Sequence, residues 1–458
     1  MFARLGTFAC VAGVWLLAAC GDDGPTGGAG GEAPVGGAGG AGGEVVLPPL
    51  PPIEGLPVLE DLNPEQDIVE VELVARPGSA ELLDGGATDL LTYNDSLPGP
   101  LLHARVGDRV IVHFTNELDE PTTIHWHGLR ISDLMDGSPM IQNPVEPGET
   151  FTYDFVVPDA GTFWYHTHLH QIEQFERGLY GALVVHELEF PTFSAERLIV
   201  IDDIRLDEDN QVAPFNTTSG PDVGMGRVGN TLLVNGRGEP LKLSVPAGGI
   251  ERWRIVLATN SLNFGLRLQG ADARVIGTDG GLLPEGFDLE RVEFAPGQRY
   301  DLEVRPRAGE DITLEALILQ LDENNQVVEV PFALVDATVE GEVTPEEPVY
   351  PLVELPSIDV DAPMLNWNIA GGVVDGEVVF TINGEAGFVG DGHEHVILET
   401  FEPNVPVKIK LRSNVSPAHP FHIHGQFFQI IEREGEPITD EPGLRDTVHV
   451  RGADSVTI

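Results

Sequence analysis

The sequence predicts an all-β protein built of three tandem β-sandwich domains. Three observations carry that expectation: apolar and polar residues alternate in many short runs, clusters of Gly, Pro, Asn and Asp separate the runs, and no long stretch shows a helical period. Gly (54) and Pro (36) are spread between the runs, and the hydrophobic 41 % of the 458 residues is rich in Val, Leu and Ile, as strands and turns require. After a non-globular start about 400 residues remain, room for roughly three ordinary domains.

Residues 1–20 read as an export signal. Arg4 opens a short basic region, Leu5 to Leu17 is an apolar stretch too short to span a bilayer comfortably, and Leu17-Ala18-Ala19-Cys20 has small residues at the cleavage point. That ending resembles a bacterial lipobox, which implies that Cys20 becomes the lipidated first residue of an exported lipoprotein, anchored to a membrane in the periplasm or at the cell surface. Cys10 and Cys20 are the only cysteines, so no disulfide is expected in the mature chain. Residues 21–60, rich in Gly, Ala and Pro, are expected to be a flexible tether that stiffens over Val45 to Pro57.

Domain one is expected over 61–190, carried by Ile68-Val69-Glu70-Val71-Glu72-Leu73-Val74 and Arg109-Val110-Ile111-Val112-His113-Phe114. Domain two, 191–345, repeats the pattern with Thr231-Leu232-Leu233-Val234, Ile250-Glu251-Arg252-Trp253-Arg254-Ile255-Val256 and Arg299-Tyr300-Asp301-Leu302-Glu303-Val304, and contains no histidine. Domain three, 346–458, holds Val378-Val379-Phe380-Thr381-Ile382 and Val407-Lys408-Ile409-Lys410-Leu411. The 25 Lys+Arg against 74 Asp+Glu give a net charge of −49, which argues against a nucleic-acid partner, because phosphate binding needs clustered cations. An acidic surface suits solubility and attracts metal cations.

The histidines point to chemistry. In an extended strand alternate residues share a face, so His-x-His presents two imidazoles on one side. Fourteen histidines in this length would give roughly 0.4 such pairs by chance, and five occur. His125-x-His127 and His166-x-His168 fall in domain one, whereas His422-x-His424 falls in domain three, so those domains must face each other if the pairs share a site. His419, three residues before His422 and followed by Pro420, is expected to point away and serve a separate site. Imidazoles without acidic partners favour copper or zinc over magnesium or calcium, and histidines this dispersed fit a closed structural zinc site poorly.

The chain resembles the multicopper oxidases of the laccase and bilirubin-oxidase kind over almost everything after the tether. The stretches that carry the resemblance are Leu97-Pro98-Gly99-Pro100, Pro121-Thr122-Thr123-Ile124-His125-Trp126-His127-Gly128-Leu129, Met135-Asp136-Gly137, Gly161-Thr162-Phe163-Trp164-Tyr165-His166-Thr167-His168, Arg177-Gly178-Leu179-Tyr180-Gly181 and His419-Pro420-Phe421-His422-Ile423-His424-Gly425. The resemblance implies cupredoxin-like Greek-key domains, the third incomplete, and copper in type 1, type 2 and binuclear type 3 sites, four ions in a complete chain. His125 and His422 would hold the type 2 copper, His127, His166, His168 and His424 the type 3 pair, and His419 the type 1 copper. Four one-electron oxidations of a small donor, such as a phenol, an aromatic amine or a metal ion, would then reduce O2 to water. Asp136 stands where the family often has a carboxylate that orients water and relays protons.

One departure from the family matters. The His-Cys-His motif that supplies the type 1 cysteine and further ligands is absent, and Val456-Thr457-Ile458 ends within an apolar pattern, so the chain reads as cut short before its last motif. The competing function is a non-catalytic copper-binding lipoprotein or scaffold, although a scaffold would be expected to lose its histidines broadly. Copper nitrite reductases share the fold but have two domains and a cysteine near the type 1 histidines. His103, His113, His186 and His449 read as structural or surface residues, His170 as lying beyond the ligand pattern, and His393-x-His395 as at most a weak surface metal site.

Overall fold

The computed structural model describes residues 47–215, 222, 226–344, 346–374, 377–385, 397–414 and 419–458. Cys10, Cys20, most of the Gly-rich segment and the His393/His395 pair lie outside the described residues.

In the first domain the alternation read from sequence becomes burial. Along Ile68–Leu83, Val69, Val71, Leu73 and Ala75 point into the core, while Glu70 and Glu72 face outward. This strand joins Gly86–Tyr93, Arg109–Asn116 and Thr150–Val156 in one sheet; Gly99–Arg105, Tyr180–His186, Gly161–His166 and His125–His127 form the other. Ile68–Leu83 runs parallel to Arg109–Asn116, and Gly99–Arg105 parallel to Tyr180–His186. Such pairs need crossing connections instead of hairpins, as in a Greek key. Val112, Phe114, Trp126, Tyr153 and Phe163 fill the space between the sheets.

The second domain packs a seven-stranded sheet on a five-stranded one around Trp253, Phe264, Leu266, Phe294, Leu302 and Leu314. In the third, Met364–Val374, Lys408–Ser413 and Ser455–Thr457 are successive neighbours in a six-stranded sheet, and His419–His422 pairs with Thr447–Val450. The core there includes Trp367, Leu411, Phe421, Val448 and Val456.

The tether expectation needs correction at its end. Ile53–Glu54 adds a parallel strand beside Glu196–Arg197, Glu54 pairs with Arg197, and Leu59 N–H donates to Leu101 O at 2.9 Å. Ile53 is buried with Leu101, Trp164 and Tyr180 of domain one and Leu198 and Val256 of domain two. The physical reason is that Ile53, Leu56 and Leu59 supply apolar anchors that a Gly/Ala run lacks, and an edge position tolerates the surrounding prolines. Residues 53–59 therefore strap the first two domains together instead of spacing them from anything.

Candidate metal centre

Strand pairing assembles the first half of the site. His125–His127 lies antiparallel to Gly161–His166 with His125 opposite His166 and His127 opposite Trp164, so alternation turns imidazoles from both segments to one side. His168 follows at the strand end, where Thr167 N–H donates to Leu179 O at 3.1 Å. Gln174, fully buried on the short helix Gln171–Glu176, accepts from Thr122 Oγ1 at 2.8 Å and Thr167 Oγ1 at 2.7 Å, tying the two histidine segments to each other.

Domain three supplies the second half. The His422 ring stacks on His127 with centroids 3.8 Å apart, and His424 stacks on His125 at 3.8 Å. His166 and His168 complete the group, with centroids 5.2 and 5.6 Å from His125. Ring nitrogens of His125, His127 and His422 lie within 4.8 Å of one another, and those of His125 and His424 lie as close to an Asp136 oxygen. Neither triad includes His419, which is buried at the far end of His419–His422 opposite Val450.

The electrostatics suit a metal. Burial pushes all six imidazoles below their ordinary titration range, so each is neutral at pH 7, the form that ligates. Asp136 accepts from His424 Nδ1 at 2.7 Å, and its backbone oxygen lies 2.9 Å from His125 Nδ1. With Nδ1 occupied, the buried Nε2 atoms of His125 and His424 have no hydrogen-bond partner among the described residues, and neither does His168 Nε2. Buried polar nitrogens are rarely left so, and a metal ion between them is the partner this donor set fits. Burial alone would raise the Asp136 carboxyl; its two imidazole neighbours outweigh that and hold it well below the usual carboxylate range.

Asp446 is the residue that sequence reasoning passed over. Fully buried, it lies 3.3 Å from His127 Nε2, its backbone oxygen is 2.9 Å from His422 Nδ1, and it pairs with Arg299 of domain two at 2.6 Å. Burial pushes its carboxyl up, and Arg299 and His127 more than reverse this. The signal available in sequence was a charged pair, Arg445-Asp446, opening the apolar run Val448 to Val450. The other histidines sit elsewhere: His113 against Glu70 at 2.8 Å, His170 against Glu120 at 2.9 Å, His103 beside His186 with centroids 4.7 Å apart, and His449 buried in Thr447–Val450.

Two β-sandwich domains that share a buried six-imidazole cluster, joined through a histidine-free middle domain, define a copper protein of three cupredoxin domains. Residues 75–189, 202–311 and 378–458 each match the multicopper oxidase family. The chain belongs to that family: it is a copper-dependent oxidoreductase. It is 28 % identical to a multicopper oxidase of Mycobacterium tuberculosis over 81 % of this chain and 78 % of that one. Among solved structures, a multi-copper oxidase of Pseudomonas thermotolerans superimposes with a TM-score of 0.71 at 30 % identity, covering 85 % of this chain and 92 % of the other. A Campylobacter jejuni multicopper oxidase described as a metallo-oxidase gives 0.72 at 26 % identity, with 89 % of each chain covered.

Proposed function

We propose that the six clustered imidazoles hold the copper at which O2 is reduced to water, and that His419 belongs to a separate copper site where a small donor is oxidised. The observation that carries this reading is convergence: imidazoles from both ends of the chain stack within 3.8 Å in a buried pocket lined by neutral rings. Following the family pattern, His125 and His422 take the type 2 ion and His127, His166, His168 and His424 the type 3 pair. Copper, when bound, supplies one-electron redox chemistry and activation of oxygen. The residues supply orientation and protons. Asp136 fixes the tautomers of His125 and His424 so that Nε2 faces the ions, and Asp446 steadies His127 and His422. Asp136, hydrogen-bonded to His424 and beside His125, is the carboxylate we assign to proton relay.

The donors that fit are phenols, aromatic amines or metal ions. The metallo-oxidase description of the Campylobacter relative and the net charge of −49 both favour a cationic metal donor, while the presence of only five methionines weighs against a specialised cuprous-ion site. We further infer, from Leu17-Ala18-Ala19-Cys20, that Cys20 is lipidated and holds the protein on a membrane surface in the periplasm or outside the cell.

Copper titration of the whole chain tests the first reading. The expected result is tight binding with a type 2 electron paramagnetic resonance signal that disappears in His125→Ala/His422→Ala. No strong blue thiolate band is expected, since Cys10 and Cys20 are the only thiols in these residues. Equal copper content in wild type and the double variant would sink the assignment. For the anchor, Cys20→Ala expressed with its signal should move from the membrane to the soluble fraction; unchanged partitioning removes the lipid proposal.

A further inference from the structure

We propose that Arg299, in the domain without histidines, is a positioning residue that sets the register of domains one and three across the imidazole cluster. The inference rests on the copper reading above and concerns how its two halves are held together.

Arg299 is fully buried, and every N–H of its guanidinium has an acceptor. Nε donates to Thr162 O at 2.9 Å; Nη1 donates to Gly297 O and Asp446 Oδ1, both at 2.9 Å; Nη2 donates to Asp279 O at 2.9 Å and Asp446 Oδ2 at 2.6 Å. Thr162 lies in domain one on Gly161–His166, the strand that ends in a cluster histidine. Gly297 and Asp279 belong to domain two, so Arg299 is fixed on its own scaffold, with its N–H also donating to Asp279 Oδ1 at 2.8 Å. Asp446 belongs to domain three and touches His127, and its backbone oxygen accepts from Ile423 N–H at 3.0 Å, between the ligand pair His422 and His424. One planar cation thus joins all three domains immediately behind two of the imidazoles.

The geometry explains why this position carries arginine. A bidentate pair to Asp446 sets the orientation as well as the distance of that carboxylate, and a lysine, with one charged point, could satisfy neither the fork nor the three carbonyls around it. Without the fork, Asp446 would keep its place in the chain but lose the angle at which it meets His127 and His422.

The test compares Arg299→Lys and Arg299→Met with Arg254→Met in the whole chain. Arg254 also crosses from domain two to domain one, through Thr162 Oγ1 at 3.0 Å, but does not touch Asp446. Circular dichroism confirms folding, copper titration reads affinity, and hydrogen exchange at the Ile423 amide reads the domain-three contact without any metal. Both Arg299 variants should bind copper about 10–100-fold more weakly, with an altered type 2 signal and faster exchange at Ile423. Arg254→Met should lower the melting temperature and leave affinity and Ile423 exchange unchanged. Wild-type affinity and exchange in Arg299→Lys would overturn the proposal, as would equal loss of affinity in Arg254→Met. Should Arg299→Met fail to fold, Arg299→Lys decides. Should the wild-type chain bind no copper at the cluster, the functional reading falls and the exchange measurement alone upholds or overturns the positioning role.

Discussion

Gly128 shows how little room the centre leaves. It follows His127 with φ +93°, and a Cβ there would sit 2.4 Å from Arg299 Nη2 and 2.6 Å from Asp446 Oδ2. Gly128→Ala is therefore expected to cost about 2–3 kcal/mol, from overpacking added to a backbone angle that L-residues avoid. Urea unfolding checks this, and an unmoved midpoint refutes it. A second residue-scale prediction concerns half-buried His103, which packs against buried His186. Burial, then Arg254 and Arg105, lower His103 to about 4 from an ordinary 6.5. The unfolded chain therefore takes up its proton first, so the contribution of neutral His103 to stability is present above pH 6.5 and lost as pH falls toward 4. His103→Gln should make unfolding free energy less dependent on pH between 6.5 and 4; an unchanged slope would exclude His103 as the cause.

At the scale of elements, the strands that carry the imidazoles were legible and the helix that braces them was not. His125-Trp126-His127 and His166-Thr167-His168 announce a shared face through a two-residue period, and the antiparallel pairing of His125 with His166 is its physical outcome. Gln174 lies on a six-residue helix, too short to show a period, so nothing local marks it out from Gln171. Its importance comes from partners about 50 and 7 residues away, Thr122 and Thr167. Gln174→Leu would take the shared amide from both hydroxyls and the Pro121 carbonyl, leaving Thr167 Oγ1 with Leu169 O at 3.0 Å and Thr122 Oγ1 with Thr123 O at 3.4 Å, a loss of about 1–2 kcal/mol. Equilibrium unfolding reads the loss, and a stable variant would show that the threonines find other acceptors. The segment 53–59 failed the other way: its prolines suggested a spacer, whereas three apolar side chains and one edge strand hold it on the fold.

Over the whole molecule, copper is expected to act as a bridge between the ends of the chain. On the proposed assignment, ligands from domains one and three mean that metal binds the assembled arrangement and not the unfolded chain, so saturating copper should stabilise the protein by about 4 kcal/mol at a thousandfold excess over Kd. The melting temperature should rise with copper, fall back with a chelator, and stay put in His125→Ala/His422→Ala. A rise of equal size in that variant would locate the binding elsewhere on the acidic surface. The sequence by itself determined the strands, the three-domain count and the copper-suited donors, because each follows from local period, composition or spacing. Only the tertiary structure decided that the His422/His424 pair stacks on His127 and His125, that Asp136 and Asp446 meet the clustered imidazoles, and that a histidine-free domain reaches the cluster through Arg299. The contacts among these that cross between domains, His422 on His127, His424 on His125 and Asp136, and Arg299 on Asp446, join residues more than a hundred positions apart, where no local pattern constrains them and the packing of domains alone sets their distance.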